Sequence, residues 1–283
     1  MSRSSSSKSV LNSASVDNLQ YLPPNEISRE LVAIGEKKSK LSFSKQLLSG
    51  FLAGAYIAFA SHLYTLVTAG ATEKIGFGPT KFLGGLVFST GLMLVLIVGA
   101  ELFTGNVLMI KALLQKKISL NGMLRNWSNV YFANLIGSLI LVLLIMATQV
   151  NRDAAGLTLV GENAVKIASA KAALPISVAF FRGIAANWLV CLGVMMSIAA
   201  KNISGKVLAI IFPIMAFVAM GFEHSVANMY LLPAGMMAAQ GTDAVLNIYS
   251  ILINLLVVTA GNIVGGGFFV ATIYWYLNLR SNE

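Results

Sequence analysis

Charge is what this sequence lacks. Only 11% of its 283 residues are Asp, Glu, Lys or Arg, against 57% hydrophobic, whereas a soluble domain carries roughly a quarter charged residues. Together with a mean hydropathy of +0.77, this excludes an ordinary soluble globule and indicates an integral membrane protein. Cysteine is nearly absent: Cys191 lies in the middle of an apolar run and reads as a small packing residue, not a nucleophile. Two histidines and one cysteine, far apart in the chain, give no basis for a metal site. There is no Walker sequence, so nothing suggests ATP as a driver, and no cofactor is expected. The first 40 residues hold no short apolar core before a small-residue cleavage site, so no cleavable leader is expected.

What is present is a set of long apolar runs. Residues 46–72, 126–151, 183–200 and 244–279 contain no Asp, Glu, Lys or Arg. Residues 82–110 contain Glu101 alone, and 207–242 contain Glu223 and His224. Crossing a bilayer takes about 20 apolar residues, so six membrane segments are expected. The net charge of +9 does not read as nucleic-acid binding. With the N-terminus inside, 14 of the 20 Lys and Arg fall on the cytoplasmic side, which is the positive-inside pattern. Both termini are then cytoplasmic, in the cytoplasmic membrane.

Residues 1–25 are Ser-rich and end in "LPPNE", a composition that favours disorder. Residues 26–45 put Ile27, Leu31 and Ile34 at helical spacing beside basic residues, as in an interfacial amphipathic helix. The remaining 46–280 form the membrane part, which repeats over about 46–150 and 172–280. Gly99, Glu101 and Asn106 of "GAELFTGN" fall on Gly221, Glu223 and Asn228 of "GFEHSVAN", each 122 positions on. Asn126 and "NLIG" at 134–137 fall on Asn254 and "NIVG" at 262–265, 128 on; "SGFLAG" at 49–54 falls less well on "RGIAAN" at 182–187, 133 on. An odd number of spans per half requires the second half to be inverted, an architecture of transport proteins.

Both "ELFTGN" and "EHSVAN" spoil an apolar span, since Thr-Gly-Asn is a poor helix continuation. A broken second and fifth helix resolves this, because irregular backbone survives at membrane depth where it is buried or lines a wet cavity. Glu101, Glu223, Asn106 and Asn228 are read as structural clasps that bond the backbone groups freed by the breaks. His224 reads as the one imidazole at membrane depth, and as functional, since intramembrane ionisable groups are functional by default. Thr104 is placed to bond an anion or His224, or to cap the second half-helix. Breaks with Thr, Asn, His and helix N-termini suit a small monovalent anion. Lys171 reads as either a vestibule cation or an ordinary interfacial Lys, and Arg182 as a snorkelling or structurally paired residue.

These residues resemble the formate/nitrite transporter family of small-anion channels, over about residues 40–280. The motifs are "GAELFTGN", "NWLVCLGV" at 187–194, "GFEHSVANM" at 221–229 and "GNIVGGG" at 261–267. The resemblance implies an all-α, aquaporin-like protomer with its own pore, assembled as a homopentamer. It also implies that His224 is the central pore histidine and Thr104 the loop threonine facing it. Leu92 and Phe217, with Phe88, Leu102 and Phe103, would form two apolar constrictions. Lys171 would match the vestibule lysine and Asn187 a pore-region amide near it. "NMYLLPAG" is more similar to formate channels, while "AELFTGN" and "AKAALPISVAFFRGIAANWLVC" are more similar to nitrite channels; related members pass hydrosulfide or lactate. Formate is the leading expectation.

The expected function is thus pH-dependent passage of formate, the acid form crossing the apolar rings, since bare charge is costly in low dielectric. His224 either donates the proton or only stabilises the anion while water supplies it. A membrane enzyme using His224 and Glu223 is disfavoured, for no nucleophile or metal accompanies them. A water or neutral-solute pore needs a continuous polar lining that the apolar rings deny. A rocking, proton-coupled carrier is the nearer rival.

Overall fold

The computed structural model describes residues 21–242, 244 and 246–280; residues 1–20, most of the segment for which disorder is expected, lie outside them. Pro24 opens helix α1 (Pro24–Ser39), where a missing N–H is harmless because first-turn donors have no helical partner. Ile27, Leu31 and Gly35 are buried, while Arg29 and Glu30 are exposed. The amphipathic segment is shorter than the expected 26–45: α1 ends at Ser39, and Ser42 stands in extended geometry before the next helix.

In chain order there follow α2 (Phe43–Thr68), α3 (Phe77–Gly99), α4 (Phe103–Leu114), α5 (Leu120–Ala147), α6 (Leu159–Ala172), α7 (Ile176–Ala199), α8 (Ile203–Ala219), α9 (Ser225–Ala238) and α10 (Ile248–Asn278). A two-residue antiparallel pairing, Arg152–Asp153 with Gly156–Leu157, joins α5 to α6. Among the described residues five helices are long and apolar enough to cross a membrane: α2, α3, α5, α7 and α10. The run 207–242 is not a sixth uninterrupted one. It divides into α8 and α9, of 17 and 14 residues, each short of the ~20 that a span requires.

The chain leaves helical geometry in the same way at two places. After a last, π-helical stretch α3 stops at Gly99 (φ 98°), Ala100 and Leu102 are extended, and α4 starts at Phe103. α8 stops at Ala219, Gly221 takes φ 72°, His224 is extended and α9 starts at Ser225. A side-chain-bearing residue in left-handed geometry costs roughly 1–2 kcal/mol, so glycine ends the preceding helix in both.

Backbone contact sets how the long helices pack. A Cβ on Gly137 of α5 would stand 2.0 Å from the Phe51 carbonyl oxygen of α2. One on Gly265 of α10 would stand 2.1 Å from that of Ile184 in α7. Around these crossings lies a continuous apolar core that includes Phe88, Leu92, Leu102, Phe103 and Phe217.

Candidate functional site

Each interruption is held by an amide from a neighbouring long helix. Phe103 N–H donates to Asn134 Oδ1 (2.9 Å), and Asn134 Nδ2 donates to the carbonyls of Gly50 (2.7 Å) and Glu101 (2.9 Å). Ser225 N–H donates to Asn262 Oδ1 (2.9 Å), and Asn262 Nδ2 donates to the carbonyls of Gly183 (2.7 Å) and Glu223 (3.0 Å). Every partner in the first set maps onto the second by the offsets seen in the sequence. The N–H groups of Phe103 and Ser225 therefore go to Asn134 and Asn262, and those of Glu101 and Glu223 to the carbonyls of Ser49 and Arg182, not to the glutamate side chains as the sequence suggests.

The glutamates instead take side-chain donors. Glu101 accepts from Lys38 Nζ (2.7 Å) and Asn106 Nδ2 (2.7 Å), and Asn106 Nδ2 also donates to Asn126 Oδ1 (2.8 Å). Glu223 accepts from Lys171 Nζ (2.9 Å) and Asn228 Nδ2 (2.7 Å), and Asn228 donates to Asn254 Oδ1 (2.8 Å). A buried carboxylate survives only with such partners. Lys38 carries no motif of its own; extending the 133-residue offset back from Lys171 finds it.

His224 is the N-cap of α9. Its Nδ1 accepts from Ala227 N–H (3.2 Å), and its Nε2 lies 2.8 Å from Thr104 Oγ1. With Nδ1 occupied as an acceptor, a neutral ring carries its proton on Nε2 and donates it to Thr104. The N-cap position of α4 is Leu102, so Thr104 does not cap that helix. Asn187 Nδ2 donates to the carbonyls of Thr104 (3.2 Å) and Asn262 (2.7 Å). Asn187 is fully buried and is brought behind Thr104 as backbone support.

Two cavities approach this pair. One, of about 190 Å³, is lined by Phe88, Phe217, His224, Glu223, Lys171, Lys81 and Arg182 among others. The second, of about 220 Å³, is lined by Leu92, Leu102, Gly105, Asn106, Lys38 and Lys206 among others. Phe88 and Leu92, one turn and about 6 Å apart along α3 at 1.5 Å per residue, line different cavities. Phe88 and Phe217 meet edge to face at 5.8 Å, and Phe217 lies 5.9 Å from the His224 ring.

Two sequence readings need correction. Phe103, the first residue of α4, lines neither cavity: its ring packs on Trp127 and Tyr131 of α5 at 6.0 and 5.0 Å. His224 is not the one imidazole at membrane depth, since His62 lies within α2, its Nδ1 2.9 Å from the Tyr230 hydroxyl. A neutral apolar run hides a histidine when only charges are counted.

The family model for formate/nitrite transporters matches residues 25–276. A probable formate transporter of Methanothermobacter thermautotrophicus is 42% identical over 274 residues, covering 92% of this chain and 98% of the relative. Two solved structures share the fold. An FNT family ion channel superimposes with a TM-score of 0.79 at 30% identity, over 89% of this chain and 98% of its own. A pentameric formate channel with formate bound gives 0.74 at 38% identity, over 84% and 98%. These relatives are membrane channels and transporters, not enzymes, and with its match extending over most of its length, this chain belongs to the formate/nitrite transporter family.

Proposed function

We propose that the protein passes formate across the cytoplasmic membrane, its termini on the cytoplasmic side, with a proton accompanying each anion past His224. One observation carries the reading: the Thr104–His224 pair sits at an apolar divide between two cavities that both hold cations. Lys171 draws the anion in at one mouth, and its pairing with Glu223 fixes the ammonium at the cavity wall. The Nε2–H to Thr104 bond leaves the threonine hydroxyl hydrogen for an anion oxygen. Phe88, Leu92, Leu102 and Phe217 then make the charged form expensive, so the neutral acid crosses.

The capping bond to Nδ1 favours the version in which water supplies the proton. A neutral ring has only the Nε2 proton to give, and giving it would leave an imidazolate. His224 acts here as a hydrogen-bond donor, and low external pH speeds entry by supplying protons to the anion. The paired bonding around the two breaks supports two inverted repeats in an aquaporin-like protomer. Likeness to a pentameric formate channel supports a homopentamer with one pore per protomer.

The test is uptake of formate, nitrite, hydrosulfide and lactate into proteoliposomes at external pH 5 and 7, for the native chain and His224→Asn. Formate flux that rises at pH 5 and collapses in the variant is expected. Nitrite or hydrosulfide outrunning formate would keep the mechanism and change the substrate. Water permeation without anion flux would overturn the reading.

A further inference from the structure

Each cavity holds one lysine paired with a glutamate. In the second cavity Lys38 Nζ is bonded to both Glu101 Oε1 (2.7 Å) and Asn106 Oδ1 (2.8 Å). Two of its three donors are spent, against one for Lys171. Lys206 lines the same cavity, and its ammonium has no hydrogen-bond or ion-pair partner among the described residues.

The position of Lys206 breaks a local rule. It lies in the first turns of α8, the 17-residue helix capped by Asn202, whose Oδ1 accepts from Gly205 N–H. Helix N-termini carry partial positive charge and favour acidic side chains, so a lysine there is mildly unfavourable for the helix. A lysine set against its own helix dipole, without a carboxylate to relieve it, is the kind of local conflict that marks function. Lys206 brings the charge of α8 to the cavity that also reaches Leu102.

We propose that Lys206 is the anion-capturing residue of the mouth on the α1 side, where Lys38 serves the framework. The inference rests on the small-anion reading above and extends it to a residue that the sequence motifs do not include. Lys206 is a positioning residue: it raises the local anion concentration below Leu102 and takes no part in proton transfer.

A passive channel constrains how this is measured. Well below saturation, a change at either mouth lowers permeability equally in both directions, since detailed balance forbids a directional bias. The sidedness appears only in saturation. The experiment compares half-saturating formate concentrations for the full chain in inside-out and right-side-out membrane vesicles. The face bearing α1 is identified by an N-terminal tag. A unit charge at about 4 Å in water changes local concentration roughly fivefold.

Lys206→Gln is therefore expected to raise half-saturation about fivefold when formate enters from the α1 face at low ionic strength, and not from the other face. The difference should shrink in 1 M salt, where the screening length is about 3 Å, and Lys206→Arg should restore native behaviour. Unchanged saturation in Lys206→Gln, a salt-independent loss, or failure of Lys206→Arg to restore overturns the proposal. A native chain that conducts no formate would defeat the small-anion reading itself, a separable outcome.

Discussion

His224 Nε2 and Thr104 Oγ1 lie 2.8 Å apart across 120 residues of chain. The contact joins the ends of two interruptions, and neither side chain is positioned by its own segment alone. Asn262 holds the backbone before His224, while Asn134 and Asn187 hold the backbone on either side of Thr104.

Since His224 caps α9 through Nδ1, Ala and Asn substitutions should separate its two roles. Asn keeps a capping oxygen and should leave stability near native; Ala should lose about 1 kcal/mol. Formate uptake should collapse in both. Thermal unfolding in detergent, beside proteoliposome flux, reads the two effects independently, and equal stability in all three chains would remove the capping role.

Glu223→Ala should be more damaging than Glu101→Ala. The carboxylates are 3% and 12% exposed, and their lysines 16% and 22%. Stranding one partner of a well-buried pair costs about 3–5 kcal/mol, and water relieves the more open site. The yield of folded protein in mild detergent orders the two variants; an inverted order would mean that burial does not govern the clasp.

Glycine substitutions should divide sharply. Gly137→Ala and Gly265→Ala drive a methyl into a carbonyl at 2.0 and 2.1 Å, and the helices must part. Gly99→Ala meets nothing within 4 Å and suffers only its φ of 98°, about 1–2 kcal/mol. Membrane-inserted, folded yield should be near zero for the first two and measurable for the third.

Trimming the divide should relax size selection. Phe88→Ala and Phe217→Ala remove the edge-to-face pair beside His224, so lactate flux relative to formate should rise in both. If the ratio holds constant while both fluxes change together, the rings do not select by size.

Much of this architecture can be read from the sequence, and the reason is the repeat. Glu101, Asn106, Glu223 and Asn228 declare themselves because polar residues inside apolar runs demand partners. Who those partners are cannot be read, since Lys38 and Lys171 reach the breaks from other helices. Asn134 and Asn262 appear as matched letters, but their threefold bonding to interrupted backbone depends on helix packing. Phe103 turns towards Trp127 and Tyr131, a direction set by how α5 packs against the start of α4 and so not written in the motif. Lys206 looks like one more topology charge, and His62 like part of a neutral span.

The paired bonding networks have a consequence for redesign. The offset of 122 that carries Glu101 onto Glu223 carries Leu102 onto His224 and Thr104 onto Val226; the 133-residue offset carries Gly54 onto Asn187. The chassis is thus built twice, but His224, Thr104 and Asn187 are each fitted once, with no like residue at the matching position of the other half. Chemistry on one wall can be exchanged without touching the fasteners, and the unmodified twin shows what the empty fitting looks like.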